Sequence, residues 1–179
     1  MFYQPVRIRE KVERVFISFG GADPQNYSDR LLSIINGAEY QKYRFTVVLG
    51  RAKQNCDALM EYNQYDHIEV SYNVSNMPEL MSHSDVAITS RGRTAYELAI
   101  LGVPTIAIAQ NQREERHRFV SAESGFTYIG LNPSDEIIKS NLDIYLKLPR
   151  ESRQRFQNML LSHDLRGGRK RVMGLINNL

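Results

Sequence analysis

The loop of residues 90–94 has the sequence SRGRT, and Glu97 follows it by three positions. Its hydroxyls and backbone N–H groups can donate hydrogen bonds to a phosphate, and its two arginines can each present a planar fork to phosphate oxygens. A helix that begins here puts Arg93, Thr94 and Glu97 on one side of its first turns. A carboxylate there can accept hydrogen bonds from both hydroxyls of a ribose. The segment therefore predicts a site for a nucleoside diphosphate.

The same spacing has a second interpretation. Thr94-x-x-Glu97 also fits a capping box, in which the threonine caps the helix and the glutamate bonds back to its N-terminus. A glutamate in the first turns is favoured by the helix dipole as well. From the residues alone, ribose binding and helix capping both stay open.

A second candidate phosphate loop, residues 19–24 with the sequence FGGADP, follows another apolar segment. Gly20 and Gly21 lack β-carbons, so a diphosphate can approach the N–H groups at the start of the next helix, for which Asp23 and Pro24 supply an N-cap and a first helical residue. Glycines at such turns also occur for purely steric reasons. The chain contains neither a G-x-G-x-x-G fingerprint nor a G-x-x-x-x-G-K-[ST] P-loop, which argues against NAD binding and ATP hydrolysis.

Other candidate chemistry is sparse. Residues 110–112 form a run of amides that suits sugar hydroxyls, although an ordinary polar loop explains them too. The four histidines lack the spacing of metal ligands, and the single cysteine, Cys56, has no second cysteine for a disulfide or a metal knuckle. We therefore predict no metal, no cofactor and no catalytic residue in this chain.

Composition favours one globular domain, since the chain has 179 residues, of which 42% are hydrophobic and 24% charged. No apolar run is long enough to cross a bilayer and the N-terminus lacks a signal-peptide core, so we expect a cytoplasmic protein without a membrane span. Basic residues gather at Arg166, Arg169, Lys170 and Arg171. A solvated helix face explains them better than nucleic-acid binding, because no aromatic residues are interleaved with them.

Short β-branched runs alternate with helical patterns along most of the chain. Predicted strands cover residues 14–19, 44–50, 67–72, 85–89, 105–109 and 126–130. Predicted helices run from 23 to 37, from about 53 to 62, from 77 to 82, from near 94, from about 114 to 123, from 133 to 146 and from 149 to 161. The pattern predicts an α/β fold, a Rossmann-like doubly wound parallel sheet of about six strands. A helical C-terminal tail should end in a helix after Gly167 and Gly168. Residues 1–12 are predicted to be linker-like, and 13–179 to form the domain.

Two segments together resemble a known family. VFISFGGADP, followed by DVAITSRGRTAYELAILGVPTIAIAQNQ, is similar to the C-terminal, nucleotide-binding half of GT-B-fold enzymes of the glycosyltransferase family 28 type. That group includes the N-acetylglucosaminyltransferase of peptidoglycan lipid synthesis. The similarity is closer still to the UDP-sugar hydrolase of pseudaminic acid biosynthesis.

The resemblance implies a role for each matching residue. The diphosphate would lie against Gly20, Gly21 and Ala22 and against the second loop, Ser90, Arg91, Gly92, Arg93 and Thr94. Glu97 would bind the ribose, the loop ending at Met77 would border the uracil, and Gln112 and His117 would face the sugar. The chain departs from the family in carrying His117 and Arg118 where the glycosyltransferases often have paired glutamines. The identity of the sugar therefore stays open.

By this resemblance the chain is a UDP-sugar-binding C-terminal domain that needs an N-terminal GT-B domain for turnover. Joined to it, the chain would hydrolyse or transfer sugar from a nucleotide sugar in cell-surface glycan or nonulosonic acid synthesis. Alone, it should bind UDP-sugar without reaction. Hydrolase and transferase both remain open. The non-enzymatic alternative is a Rossmann-like interaction domain in which Thr94 and Glu97 only cap a helix.

Overall fold

A six-stranded parallel sheet organises the chain in a computed structural model that describes residues 4–167. The strands are β1 (Arg14–Ser18), β2 (Arg44–Leu49), β3 (Ile68–Tyr72), β4 (Val86–Ser90), β5 (Thr105–Ala109) and β6 (Phe126–Leu131). Their order is β3-β2-β1-β4-β5-β6, with every neighbouring pair parallel. The predicted doubly wound, Rossmann-like sheet is confirmed, because strand order reverses between β1 and β4.

Helices cover both faces of this sheet. They are α1 (Tyr27–Ile35), α2 (Cys56–Met60), α3 (Met77–Ser82), α4 (Arg93–Leu101), α5 (Gln112–Glu115), α6 (Asp135–Leu146) and α7 (Arg150–Leu161). Ile17 of β1 packs in one buried cluster with Leu31 of α1 and Leu142 of α6, while the adjacent Phe16 packs in another with Leu98 of α4. Burial on both faces explains why the strands are apolar throughout. Within residues 4–167, none of the helices has the length and apolar composition that a membrane crossing requires.

The helix predicted over residues 114–123 is wrong. Helix α5 ends at Glu115, turns and bends follow, and a 3₁₀ turn occupies Ala122–Ser124. Val120 is fully buried in a cluster with Phe126 and Leu160, which draws the chain away from a helical path. The predicted helix from about 53 to 62 is likewise reduced to α2 and a 3₁₀ turn at Glu61–Gln64. The helix predicted after Gly167 and Gly168 and the basic residues Arg169, Lys170 and Arg171 lie outside the described residues.

The segment 4–12, predicted to be linker-like, packs against the body of the fold. Gln157 of α7 donates to the Val6 carbonyl at 2.8 Å, and Arg153 of α7 donates to the Arg9 carbonyl at 2.9 Å. Val6 is also 9% exposed, so its side chain contributes to the core. The boundary between a linker-like segment and the domain stays a prediction.

Candidate functional site

A cleft of about 610 Å³ opens at the carboxyl ends of β1, β4 and β5. This is the edge where ligands bind in doubly wound sheets, beside the point at which strand order reverses. The cleft brings together most of the predicted site residues: Gly20, Gly21, Ala22, Ser90, Gly92, Arg93, Thr94, Glu97 and His117. Residues that are far apart in the chain therefore share one surface.

Three predicted site residues lie elsewhere. Arg91 is buried, and its guanidinium donates to the carbonyls of Val120 and Glu115. This corrects the prediction that the Arg91 side chain forks a phosphate. Met77 is half-buried against the core cluster around Phe16, and Gln112 is exposed at the start of α5, outside the lining of the cleft.

The first loop presents bare backbone to the cleft. Gly20 has a left-handed φ of 73°, which favours glycine, and a β-carbon added to Gly20 or Gly21 would meet nothing within 4 Å. The turn after β2 supports the loop from its other side, where a β-carbon at Gly50 would lie 1.9 Å from the Gly20 carbonyl oxygen. Ala52 N–H also donates to the Gly21 carbonyl at 2.8 Å. The turn after β2 thus holds the glycine backbone on one side, and the side that faces the cleft is open.

The start of α1 is already occupied by a carboxylate. The predicted helix start at Asp23 is wrong, since α1 begins at Tyr27 after the N-cap Asn26. The Asp23 side chain, itself 3% exposed, accepts hydrogen bonds from the N–H groups of Tyr27 and Ser28 at 2.9 Å. The Lys53 ammonium is 3.6 Å from this carboxylate and completes a buried ion pair. Because these N–H groups already bond Asp23, they are not available to a diphosphate on the glycine loop, contrary to the expectation from sequence.

The start of α4 lacks such an internal acceptor at its N-cap. The N-cap is Gly92, which has no side chain, and Arg93 is the first helical residue. Thr94 is already inside the helix, so the capping box predicted as an alternative for Thr94 and Glu97 is not formed. The positive end of the α4 dipole faces the cleft next to the exposed Arg93. Half-buried Glu97 lines the same cleft, so a carboxylate adjoins the helix N-terminus there.

The start of α5 carries side-chain caps instead, in an arrangement close to a capping box in which the glutamate bonds the residue before the N-cap. Asn111 is the N-cap, and its side chain accepts from Glu114 N–H at 3.0 Å. The Glu114 carboxylate accepts in turn from Gln110 N–H at 2.9 Å, and the Gln110 side chain donates to the Phe19 carbonyl at 2.9 Å. Glu114 was missed as a cleft residue, although the Asn-x-x-Glu spacing was a readable signal.

The cleft carries charges of both signs. Arg93 and Arg113 line it and are exposed, while Glu97 and Glu114 add two carboxylates. The arginines can donate charge-assisted hydrogen bonds to a diphosphate, and a carboxylate can accept hydrogen bonds from ligand hydroxyls.

The Tyr27 side chain links the end of β5 to the turn after β6. Its hydroxyl donates to the Ala109 carbonyl at 3.1 Å and accepts from Asn132 N–H at 3.0 Å. Burial raises the pKa of the Tyr27 phenol, and the Asn132 N–H bond opposes that shift. The phenol therefore stays protonated at neutral pH and keeps the donor that holds the end of β5.

Comparison with known sequences finds one relative of unknown role. No protein-family model matches the chain. The chain is 34% identical over 107 residues to an uncharacterized protein, MJ1062, of Methanocaldococcus jannaschii. The match covers 58% of this chain and 22% of that protein, so the chain spans only a small part of its relative.

Solved structures match over nearly the whole chain. The C-terminal domain of a group 1 glycosyl transferase, LpcC of Francisella tularensis, superposes with a TM-score of 0.63 at 12% identity, over 90% of this chain and 93% of that domain. The chain has the fold of a GT-B C-terminal domain. MurG of Acinetobacter baumannii matches with a TM-score of 0.74 at 14% identity, over 96% of this chain and 51% of MurG. HepE of Anabaena, in complex with UDP and glucose, matches with a TM-score of 0.66 at 12% identity, over 96% of this chain and 50% of HepE.

Proposed function

We propose that this chain is the UDP-sugar-binding domain of a two-domain GT-B enzyme. One observation carries the proposal: the open backbone of Gly20 and Gly21, the α4 N-terminus at Gly92 and the carboxylate-bearing Glu97 line a single cleft. A diphosphate fits between the glycine loop and α4, where N–H groups and the helix dipole favour negative charge. The Glu97 carboxylate then accepts hydrogen bonds from the hydroxyls of the attached ribose.

The choice of uridine and of a sugar rests on likeness to other proteins. HepE shares this fold and holds UDP and glucose. The resemblance of the two strand-end loops to family 28 enzymes and to the pseudaminic acid hydrolase adds the expectation of a role in cell-surface glycan or nonulosonic acid synthesis. An N-terminal GT-B domain would supply the acceptor or activate the water, so the chain alone would bind without turnover.

Calorimetry of the 179-residue chain with UDP, ADP and inorganic phosphate tests the proposal. We expect UDP to bind with a dissociation constant between about 1 µM and 1 mM, and more tightly than ADP. UDP should also raise the melting temperature, since it binds the folded state only. Equal affinity for UDP and ADP would contradict the uridine assignment. A folded chain that binds neither nucleotide at millimolar concentration would favour the interaction-domain alternative.

A further inference from the structure

The side chain of Arg91 holds the loop that follows α5. Its Nε donates to the Val120 carbonyl at 3.0 Å, and its Nη1 donates to the Glu115 carbonyl at 2.7 Å. The guanidinium carbon lies 4.0 Å from the centre of the Tyr128 ring. Since these carbonyls are five residues apart in a segment without regular structure, one side chain replaces the hydrogen bonds that a helix would have supplied there.

The backbone of Arg91 makes a further contact with the same loop. His117 Nδ1 lies 2.7 Å from the Arg91 carbonyl oxygen. A carbonyl can only accept, so His117 Nδ1 donates this hydrogen bond, and His117 itself lines the cleft. Arg91 therefore fixes both the position of residues 115–120 and the orientation of the His117 ring.

The chemistry of this contact demands arginine. Arg91 is 7% exposed, and its described acceptors are neutral carbonyls. Burial raises the pKa of the Tyr128 phenol and the charge of Glu115 adds to the shift, so the ring under the guanidinium stays neutral. A planar fork can reach two carbonyls while stacking on a ring, whereas an ammonium is a compact point charge and cannot reproduce that geometry.

We infer that Arg91 is a positioning residue of this cleft: by holding residues 115–120 it fixes His117, which the family resemblance places at the sugar rather than at the diphosphate. The inference rests on the proposed function. It assigns opposite duties to two arginines of one loop: Arg91 is buried under the neighbouring loop, and Arg93 is exposed in the cleft.

Hydrogen exchange tests the positioning without any ligand. We expect Arg91→Ala and Arg91→Lys to raise the exchange rates of backbone amides in residues 112–121 by about tenfold or more, because loss of a charged hydrogen bond opens the loop locally. The control Arg93→Ala should leave these rates unchanged. Arg91→Lys keeps the positive charge and serves if the alanine variant does not fold. Unchanged exchange in a folded Arg91 variant would overturn the inference.

Calorimetry with UDP, UDP-glucose and UDP-N-acetylglucosamine then separates the sugar side from the diphosphate. The Arg91 variants should keep UDP affinity within about threefold and lose the affinity difference that either sugar adds in the wild-type chain. Arg93→Ala should weaken all three ligands about tenfold, because it removes a charge-assisted contact to phosphate. Equal weakening of all three ligands by Arg91→Lys, or no sugar contribution in the wild type, would overturn the inference. Absence of UDP binding in the wild type would instead defeat the proposed function, while the exchange result still decides whether Arg91 positions the loop.

Discussion

Helices α4 and α5 both begin at the carboxyl end of a strand, and each places a glutamate, Glu97 or Glu114, at the same cleft. In α5 two side chains use backbone N–H groups at the helix start: Asn111 accepts from Glu114 N–H, and Glu114 accepts from Gln110 N–H. In α4 the N-cap is Gly92, which has no side chain to accept anything. One helix start uses its donors internally, and the other offers them to the cleft.

The identity of the N-cap residue makes this difference. A short polar side chain at the N-cap uses one of the N–H groups that a ligand would need, and it anchors the glutamate that follows. A glycine there leaves the N–H groups and the helix dipole to an anion. Asp23 makes the same point at α1, where its carboxylate takes the N–H groups of Tyr27 and Ser28. Of these three helix starts, α4 is therefore the one suited to a diphosphate.

Replacing Glu97 should give the largest difference in UDP affinity between variants of the two glutamates. We expect Glu97→Ala to weaken UDP binding by about tenfold to a hundredfold, since a lost carboxylate contact to ribose hydroxyls costs about 1.5–3 kcal/mol. Titration calorimetry measures the affinity, and a urea unfolding curve of the same variant shows whether the fold is affected. An unchanged UDP affinity together with a clear loss of stability would make Glu97 a structural residue like Glu114.

The matched change, Glu114→Ala, should give the reverse pattern. Losing the bond to Gln110 N–H should lower the free energy of unfolding by about 1–2 kcal/mol. UDP affinity should stay the same or rise slightly, by up to about threefold, because the variant removes a negative charge from the proposed diphosphate cleft. Weaker UDP binding by a stably folded Glu114→Ala protein would place both glutamates on the ligand and end the contrast between α4 and α5.

The cap of α5 can be tested at its other end. Asn111→Ala should cost about 1 kcal/mol of unfolding free energy, whereas Asn111→Gly should cost only a few tenths, as is usual at an N-cap. Urea unfolding of both variants measures the difference. Equal costs would mean that Asn111 contributes something other than its cap to Glu114 N–H.

Local sequence was sufficient for the sheet. The β-branched run TIAIA gave β5 to the residue, and the short apolar segment from Met77 gave α3 to the residue. Glycines two residues after β1 and β4 likewise identified most of the cleft, because strand ends of a parallel sheet gather at one edge. What failed was determined by contacts between distant residues. Arg91 reaches the Glu115 and Val120 carbonyls across the fold, so the apparent helix over 114–123 could not be recognised as a loop from its own residues.

Two of the local patterns were recognised at the wrong place. The Asp-Pro pair suggested a helix start, yet Asp23 acts as acceptor for a helix that begins four residues later, held there by Lys53 from the turn after β2. Thr-x-x-Glu suggested a capping box in α4, while Asn-x-x-Glu marks the helix start that side chains do cap, in α5. Both patterns depend on which residue is the first of the helix.

The smallest expected effect comes from Thr94→Val, which tests whether α4 is capped by a side chain at all. Thr94 is the second helical residue and 8% exposed, so valine of similar shape should change the free energy of unfolding by less than about 0.5 kcal/mol. Asn111→Ala, a true cap removal, provides the scale in the same urea experiment. A loss near 1 kcal/mol in Thr94→Val would return Thr94 to the capping role. Glu97 would then be its structural partner, and the open helix start proposed to bind the diphosphate would no longer distinguish α4 from α5.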